Sequence, residues 1–192
     1  MSELTPSVPS EPTRVTVEQF FGLVETGVLT EDDRVELLEG VIVAMSPTHP
    51  AHDSAVTRVS AALYDAVARR AVVRTQCSLI VGRSVPEPDV AVVPGSFADY
   101  DTAHPREALL IVEVADSSLP QDRISKARIY AAAGVPEYWI VNLREGVVEV
   151  LREPDVATAR YRTSRLAQPD DRLELAALPG ASVTVSDLLP GR

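Results

Sequence analysis

Four residues carry the chemistry this sequence offers: Glu36, Asp89, Glu113 and Lys126. Glu113 interrupts the apolar run Leu110-Ile-Val-Glu-Val-Ala115, where a carboxylate is costly unless it is paired, bound to a cation or at a solvent edge. Asp89 follows Pro86-Glu87-Pro88 and opens a second apolar run, Val90–Val93. Lys126 is the only lysine among eighteen basic residues, the other seventeen being arginine. A chain that favours arginine and keeps one lysine points to a need for a compact ammonium there. Thirteen residues separate Glu113 from Lys126, enough for a strand–loop–helix connection to fold back over the strand's end. Two carboxylates of this kind hold Mg²⁺ or Mn²⁺ through oxygen and leave waters in place. Such an ion lowers the pKa of a water and offsets charge on a phosphate, with the lysine orienting the nucleophile. The order Glu, Pro-Asp, strand Glu, Lys therefore reads as a phosphodiesterase centre.

Each residue has a plainer reading beside this one. Glu113 reads as an edge residue reaching water, and Asp89 as a turn residue before a strand. Glu36 shares a strand face with Leu38, opposite Val35 and Leu37, and reads as a solvent-facing hairpin residue. Lys126 reads as a surface lysine paired with Asp122 one helical turn earlier, worth a few tenths of a kcal/mol. Glu87 reads as a solvated loop residue.

The elements that must position these groups follow from pattern. Residues 1–14 are rich in Ser, Pro, Thr and Glu and read as a flexible tail, with residues 15–192 as a single domain. A helix starts near Thr16, where Thr16 and Gln19 fit a capping box, and ends before Gly27. Two β-rich runs flank a hairpin turn at Glu39-Gly40. From about Ala51 to Arg70 the period is helical, with Val56, Val59, Leu63 and Val67 on one buried face. Strands are expected at Val72–Val81, Asp89–Val93 and Ala108–Val114, the last two covered on both faces because their apolar residues do not alternate. A second helix is expected from Leu119 to Ala133, with Ser118 and Gln121 as a capping box and Gly134 and Pro136 as the stop. Strands at Glu137–Asn142 and Val147–Leu151 flank a turn at Glu145-Gly146. Arg160–Leu166, Leu173–Leu175 and Val183–Leu189 follow as shorter elements. This order gives an α/β (α+β) fold class: a mixed, largely antiparallel sheet flanked by helices.

Composition bounds the function. The net charge is −10, against the basic footprint of general nucleic-acid binders. The segment Gln121–Arg165 holds eight basic and six acidic residues, a local +2 that leaves −12 for the remainder. Nucleic-acid affinity is expected to be weak and salt-dependent. No apolar run is long enough to span a membrane, and the first residues have neither a basic nor an apolar segment of a secretory signal. The single cysteine, Cys77, excludes an intramolecular disulfide and a cysteine-built zinc site. A cytoplasmic setting is expected. The sequence shows no Gly-rich phosphate loop, nucleophile elbow or helix-turn-helix pattern.

Five segments carry a resemblance to a known family. They are Arg34-Val-Glu-Leu-Leu-Glu-Gly40, Ser46-Pro-Thr-His-Pro-Ala-His52, Pro88-Asp-Val-Ala-Val92, Leu110–Ala115, and Lys126–Val141, which contains Gly134-Val-Pro-Glu-Tyr-Trp139. Over about residues 16–152 the chain resembles the Uma2 family, grouped with the PD-(D/E)XK restriction-endonuclease-like nucleases. The resemblance implies a restriction-endonuclease-like domain and a metal-dependent endonuclease that hydrolyses DNA phosphodiesters by attack of a metal-bound water. It implies Asp89 and Glu113 as ligands of Mg²⁺ or Mn²⁺, Glu36 as an additional acid, and Lys126 in place of the usual lysine two residues after the second acid, a position held here by Ala115. His52 stands where the family often has a histidine, and is expected to contact a phosphate or cap the helix. Tyr138 and Trp139 read as sheet core and a dimer surface. A homodimer is expected from the resemblance and from the prevalence of two-fold oligomers. Two other functions stay open: a nuclease fold retained for binding or assembly, and a hydrolase of small phosphodiesters.

Overall fold

The structure, a computed structural model, describes residues 14–116 and 118–191, without the Glu31 side chain. Its centre is a six-stranded sheet in the order β3 (Val72–Thr75), β4 (Val90–Val93), β5 (Leu110–Ala115), β6 (Glu137–Asn142), β7 (Val147–Asp155), β8 (Arg160–Ala167). All neighbours are antiparallel except β5 and β6. A parallel pair needs a long crossover, and the residues between β5 and β6 supply it as helix. That crossover runs through α3 (Leu119–Gln121), one π turn (Asp122–Lys126) and α4 (Ala127–Ala132).

The absence of alternation in β4 and β5 has the expected cause. Every residue of both strands is buried. Val90, Val92, Leu110, Val112 and Val114 face α2 (Pro50–Val67), whose Val56, Val59, Leu63 and Val67 supply the facing stripe. Ala91, Val93, Ile111 and Ala115 face the other way, onto Ala127, Ile129 and Tyr130 of the crossover helix. Tyr138 and Trp139 are fully buried on opposite faces of β6, in the sheet core. The first face is closed by β9 (Arg172–Glu174), β10 (Ser182–Thr184) and the single turn α5 (Val185–Leu188).

A smaller lobe covers one end of the sheet. It comprises α1 (Val17–Glu25) and the hairpin of β1 (Val35–Leu38) and β2 (Val41–Ala44). Thr16 and Gln19 form the expected capping box. The hairpin turn needs two residues at positive φ, met by Glu39 at 49° and Gly40 at 82°. A Cβ on Gly40 would lie 2.8 Å from the Arg14 Cβ, so the turn has no room for a side chain. Arg14 is tied to this turn through the Glu39 carbonyl. The rest of the tail expected over residues 1–14 lies outside the described residues.

Three expectations need correction. The strand expected over Val72–Val81 ends at Thr75. Gln76 turns the chain at φ 48°, and the facing segment carries Pro86 and Pro88, which have no N–H to extend a ladder. Ser118 does not cap the second helix: its backbone is already helical, and its hydroxyl donates to Asp122 Oδ2 at 2.6 Å. Val183–Leu189 divides between β10 and α5.

Candidate active site

The β4–β5 register pairs Val90 with Val112 and Ala91 with Ile111. Carried one pair further, it sets Asp89 beside Glu113 at the end of the two strands. Both side chains then lie on the face covered by the crossover helix. Glu113 is 3% exposed and Asp89 9%. On the helix, Lys126 and Tyr130 are four residues apart and so share a face. The Lys126 ammonium donates to Glu113 Oε1 at 3.0 Å, and the Tyr130 hydroxyl donates to the same oxygen at 2.8 Å. The small lobe brings in Glu36, whose Oε1 lies 3.2 Å from Lys126 Nζ and accepts the Glu87 N–H at 2.8 Å. Strand alternation decides this: Leu37 packs into the α1 core, so Glu36 turns toward the cleft.

Asp89 is fixed from three sides. Its Oδ2 accepts the Val114 N–H at 2.8 Å and lies 3.2 Å from His52 Nε2, while Gln76 Nε2 donates to Oδ1 at 3.4 Å. His52 thus reaches a carboxylate; the α2 N-cap is His49. The plainer readings of Glu36, Glu113 and Lys126 fail on burial, since Glu36 is 3% and Lys126 7% exposed. Lys126 reaches Glu113 and Glu36 instead of remaining at the surface with Asp122.

Asp122 and Glu87 were not singled out by the sequence as members of this cluster. Asp122 is 2% exposed and lines the same cleft, and its backbone carbonyl accepts the Tyr138 hydroxyl at 3.2 Å. Its spacing of four residues before Lys126 is a usable signal, because i and i+4 share a helix face. Glu87 is half-buried rather than solvated and accepts the Ser78 hydroxyl. Nothing in its Pro-Glu-Pro context distinguishes it from a loop residue.

The electrostatics follow from six carboxylates lining one cleft with a single ammonium. Burial pushes the Glu113 carboxyl up to about 8; Lys126 draws it down while Asp89, Asp122 and Glu36 raise it. Burial pushes Asp122 up to about 6 against the opposing Ser118 hydroxyl and Lys126. Glu87 is raised by burial and by Glu36. Burial works against the charge on Lys126, but Glu113, Glu36 and Asp122 together raise its pKa, so it stays protonated. The Asp89 hydrogen bond raises His52 against burial.

This donor set fits a hard divalent cation. Glu113 Oε1 is engaged, and Oε2 has no hydrogen-bond donor among the described residues. Asp89 lies beside it in a cleft with excess negative charge. No three His, Cys, Asp or Glu side chains converge as a metal cage among the described residues. A pair of carboxylates leaves most of the coordination sphere to water and substrate oxygen, the habit of Mg²⁺. The basic residues of Gln121–Arg165 are mostly committed elsewhere: Arg123 to Glu149, Arg128 to Glu39, Arg144 to Asp116, Arg152 to Glu137, Arg162 to Asp155.

Comparison with known proteins agrees with this architecture. A crystal structure from Anabaena variabilis ATCC 29413, described as "a putative nuclease belonging to DUF820", superposes with a TM-score of 0.71 at 16% identity, covering 91% of this chain and 97% of that one. At that identity the likeness concerns the fold. No curated protein matches the chain. The family model for Uma2, described as "Putative restriction endonuclease", matches residues 17–186, so the chain belongs to the Uma2 family.

Proposed function

We propose that this chain is a divalent-metal-dependent endonuclease that hydrolyses phosphodiester bonds in DNA, with residues 15–192 acting as one catalytic domain. The observation that carries the reading is the Lys126 ammonium, buried between Glu113 and Glu36 while Asp89 stands beside Glu113 on the neighbouring strand. Asp89 and Glu113 would hold Mg²⁺ or Mn²⁺. Bound there, the ion would lower the pKa of a water and neutralise charge on the phosphoryl oxygens.

The chain's own groups do the rest. Lys126 keeps its proton and orients the attacking water in line with the leaving oxygen. Glu36 and Tyr130 hold the ammonium and Glu113 in place, and the Glu87 N–H fixes Glu36. His52, Gln76 and the Val114 N–H orient Asp89. DNA would be held weakly and in a salt-dependent way, because the net charge is −10 and the arginines of Gln121–Arg165 are largely paired with carboxylates. A homodimer and a cytoplasmic setting complete the proposal. No helix among the described residues is long and apolar enough to cross a membrane.

The test is hydrolysis of single- and double-stranded oligonucleotides with Mg²⁺ or Mn²⁺ against EDTA. Cleavage is expected only with metal, and is expected to fall by roughly 10²–10⁴-fold in Glu113→Gln and Lys126→Met. Absence of cleavage by the wild type on both substrates with both metals would overturn the proposal.

A further inference from the structure

The carboxylate cleft is small, about 90 Å³. It has room for a cation, water and a phosphoryl group, and none for a nucleoside. A second cavity of about 700 Å³ adjoins it, and the two share Arg34, Met45, Thr48, Gln76 and Glu87 in their walls. That volume lies within the roughly 300–1,000 Å³ typical of small-ligand pockets. We infer that this second cavity is a nucleobase subsite, which takes the base of a nucleotide next to the phosphate in the cleft. The inference rests on the reading of the cleft as a phosphodiester-hydrolysing centre, and it narrows the substrate to single-stranded or unpaired DNA.

Three features of the cavity carry it. Its wall away from the cleft is aromatic: the Phe21 and His104 rings are stacked with centroids 4.9 Å apart and planes 12° apart, beside Phe20 and Leu29. Phe21 and His104 cover one face of each other, and the exposed His104 imidazole, backed by Phe21 in the cavity wall, would offer its other face to a base. Thr48, Gln76 and Glu87 are shared with the cleft, and Thr30, Asp53 and Ser78 are further polar residues of the lining. With Gln76 Nε2 committed to Asp89 and the Ser78 hydroxyl to Glu87 Oε1, the Gln76 carbonyl oxygen, the Thr48 hydroxyl and the second Glu87 oxygen are left for a base edge. Arg34 borders both cavities, is exposed, and makes no ion pair within 4.0 Å among the described residues. It stands where the phosphate between the two chambers would pass.

The charge balance points the same way. With a net charge of −10 the surface gives duplex DNA little purchase. Stacking supplies affinity that does not depend on a basic footprint. A base that is paired and stacked in a duplex cannot enter a cavity without leaving its helix.

The test is equilibrium binding of a short phosphorothioate oligonucleotide carrying 2-aminopurine, single-stranded or annealed, to the full chain in Mg²⁺. The wild type is expected to quench the fluorophore and to bind the single strand at least about tenfold more tightly than the duplex. Phe21→Ala and His104→Ala are expected to weaken single-strand binding by about 5- to 150-fold, with His104→Phe close to wild type. His104 is exposed, so its variant keeps the assay decisive even if Phe21→Ala does not fold. Unchanged binding in the alanine variants, equal binding of duplex, or no single-strand binding by the wild type would each overturn the subsite. The readout requires no turnover, so a failure of hydrolysis counts against the proposed activity and leaves this result separate.

Discussion

Glu113 and Glu137 are both glutamates buried on neighbouring strands of one sheet, and they are treated in opposite ways. Glu137, on the α2 face of β6, is fully buried and saturated. Its Oε1 accepts from Trp139 Nε1 at 2.8 Å and Arg152 Nε at 2.7 Å, and its Oε2 accepts the Ala176 N–H at 2.8 Å. Glu113, on the opposite face of β5, has donors among the described residues on one oxygen only, and five other carboxylates line the same cleft. Burial alone does not separate a structural carboxylate from a chemical one. The spare oxygen and the excess of like charge do, because they leave a demand that a proton or a cation must meet, and on the proposed reading it is a cation.

The largest expected effect sharpens that contrast. Glu137→Ala leaves Trp139, Arg152 and the Ala176 N–H without their acceptor, and is expected to cost about 3–5 kcal/mol in urea denaturation. Glu113→Gln keeps the volume and an acceptor for Lys126 and Tyr130, at a carboxyl whose ionised form burial disfavours. Its stability is expected to change by less than about 1 kcal/mol in the same experiment. Equal costs at the two positions would break the comparison.

Lys126→Arg probes the cluster without removing its charge. A planar guanidinium cannot place one nitrogen between Glu113 and Glu36 as the ammonium does. Cleavage is expected to fall about 100-fold in steady-state assays. Wild-type rates in this variant would mean that any cation serves there.

The pH dependence follows from the raised carboxyls. Glu113 moves from 4.5 to about 8 and Asp122 from 3.8 to about 6 on folding. The folded chain keeps protons that the unfolded chain releases, so their stabilisation is whole below the unfolded values. It is lost as pH rises through about 6 and then about 8. Thermal midpoints of the metal-free chain are expected to fall across that window, and saturating Mg²⁺ to offset the part due to Glu113. A flat profile would contradict the desolvated cluster. Ser118→Ala is the smallest change: loss of its bond to Asp122 is expected to cost about 0.5–1.5 kcal/mol and to move the Asp122 transition further up in pH.

Much of this was legible in the sequence, for identifiable reasons. Strands buried on both faces lose alternation, which makes a carboxylate within Leu110–Ala115 conspicuous, and Lys126 stands out as the lone lysine. The uninterrupted period over Val56–Val67 identified α2. What escaped depends on distant partners. Ser118 has the right type and spacing for a cap, but its hydroxyl is taken by Asp122. Glu87 belongs to the cluster only because β1 folds across it, and the strand after Thr75 stops because of prolines ten residues and more away. Glu137 looks like any strand-edge acid until Arg152 and Ala176 arrive from other elements.

The most direct test is calorimetric titration of Mg²⁺ and Mn²⁺ at low salt into the wild type, Asp89→Asn, Glu113→Gln and Glu137→Gln. Binding by the wild type and Glu137→Gln, with a loss of more than about tenfold in Asp89→Asn and Glu113→Gln, is the predicted result. No binding by the wild type, or binding unchanged in both Asp89→Asn and Glu113→Gln, would contradict the account.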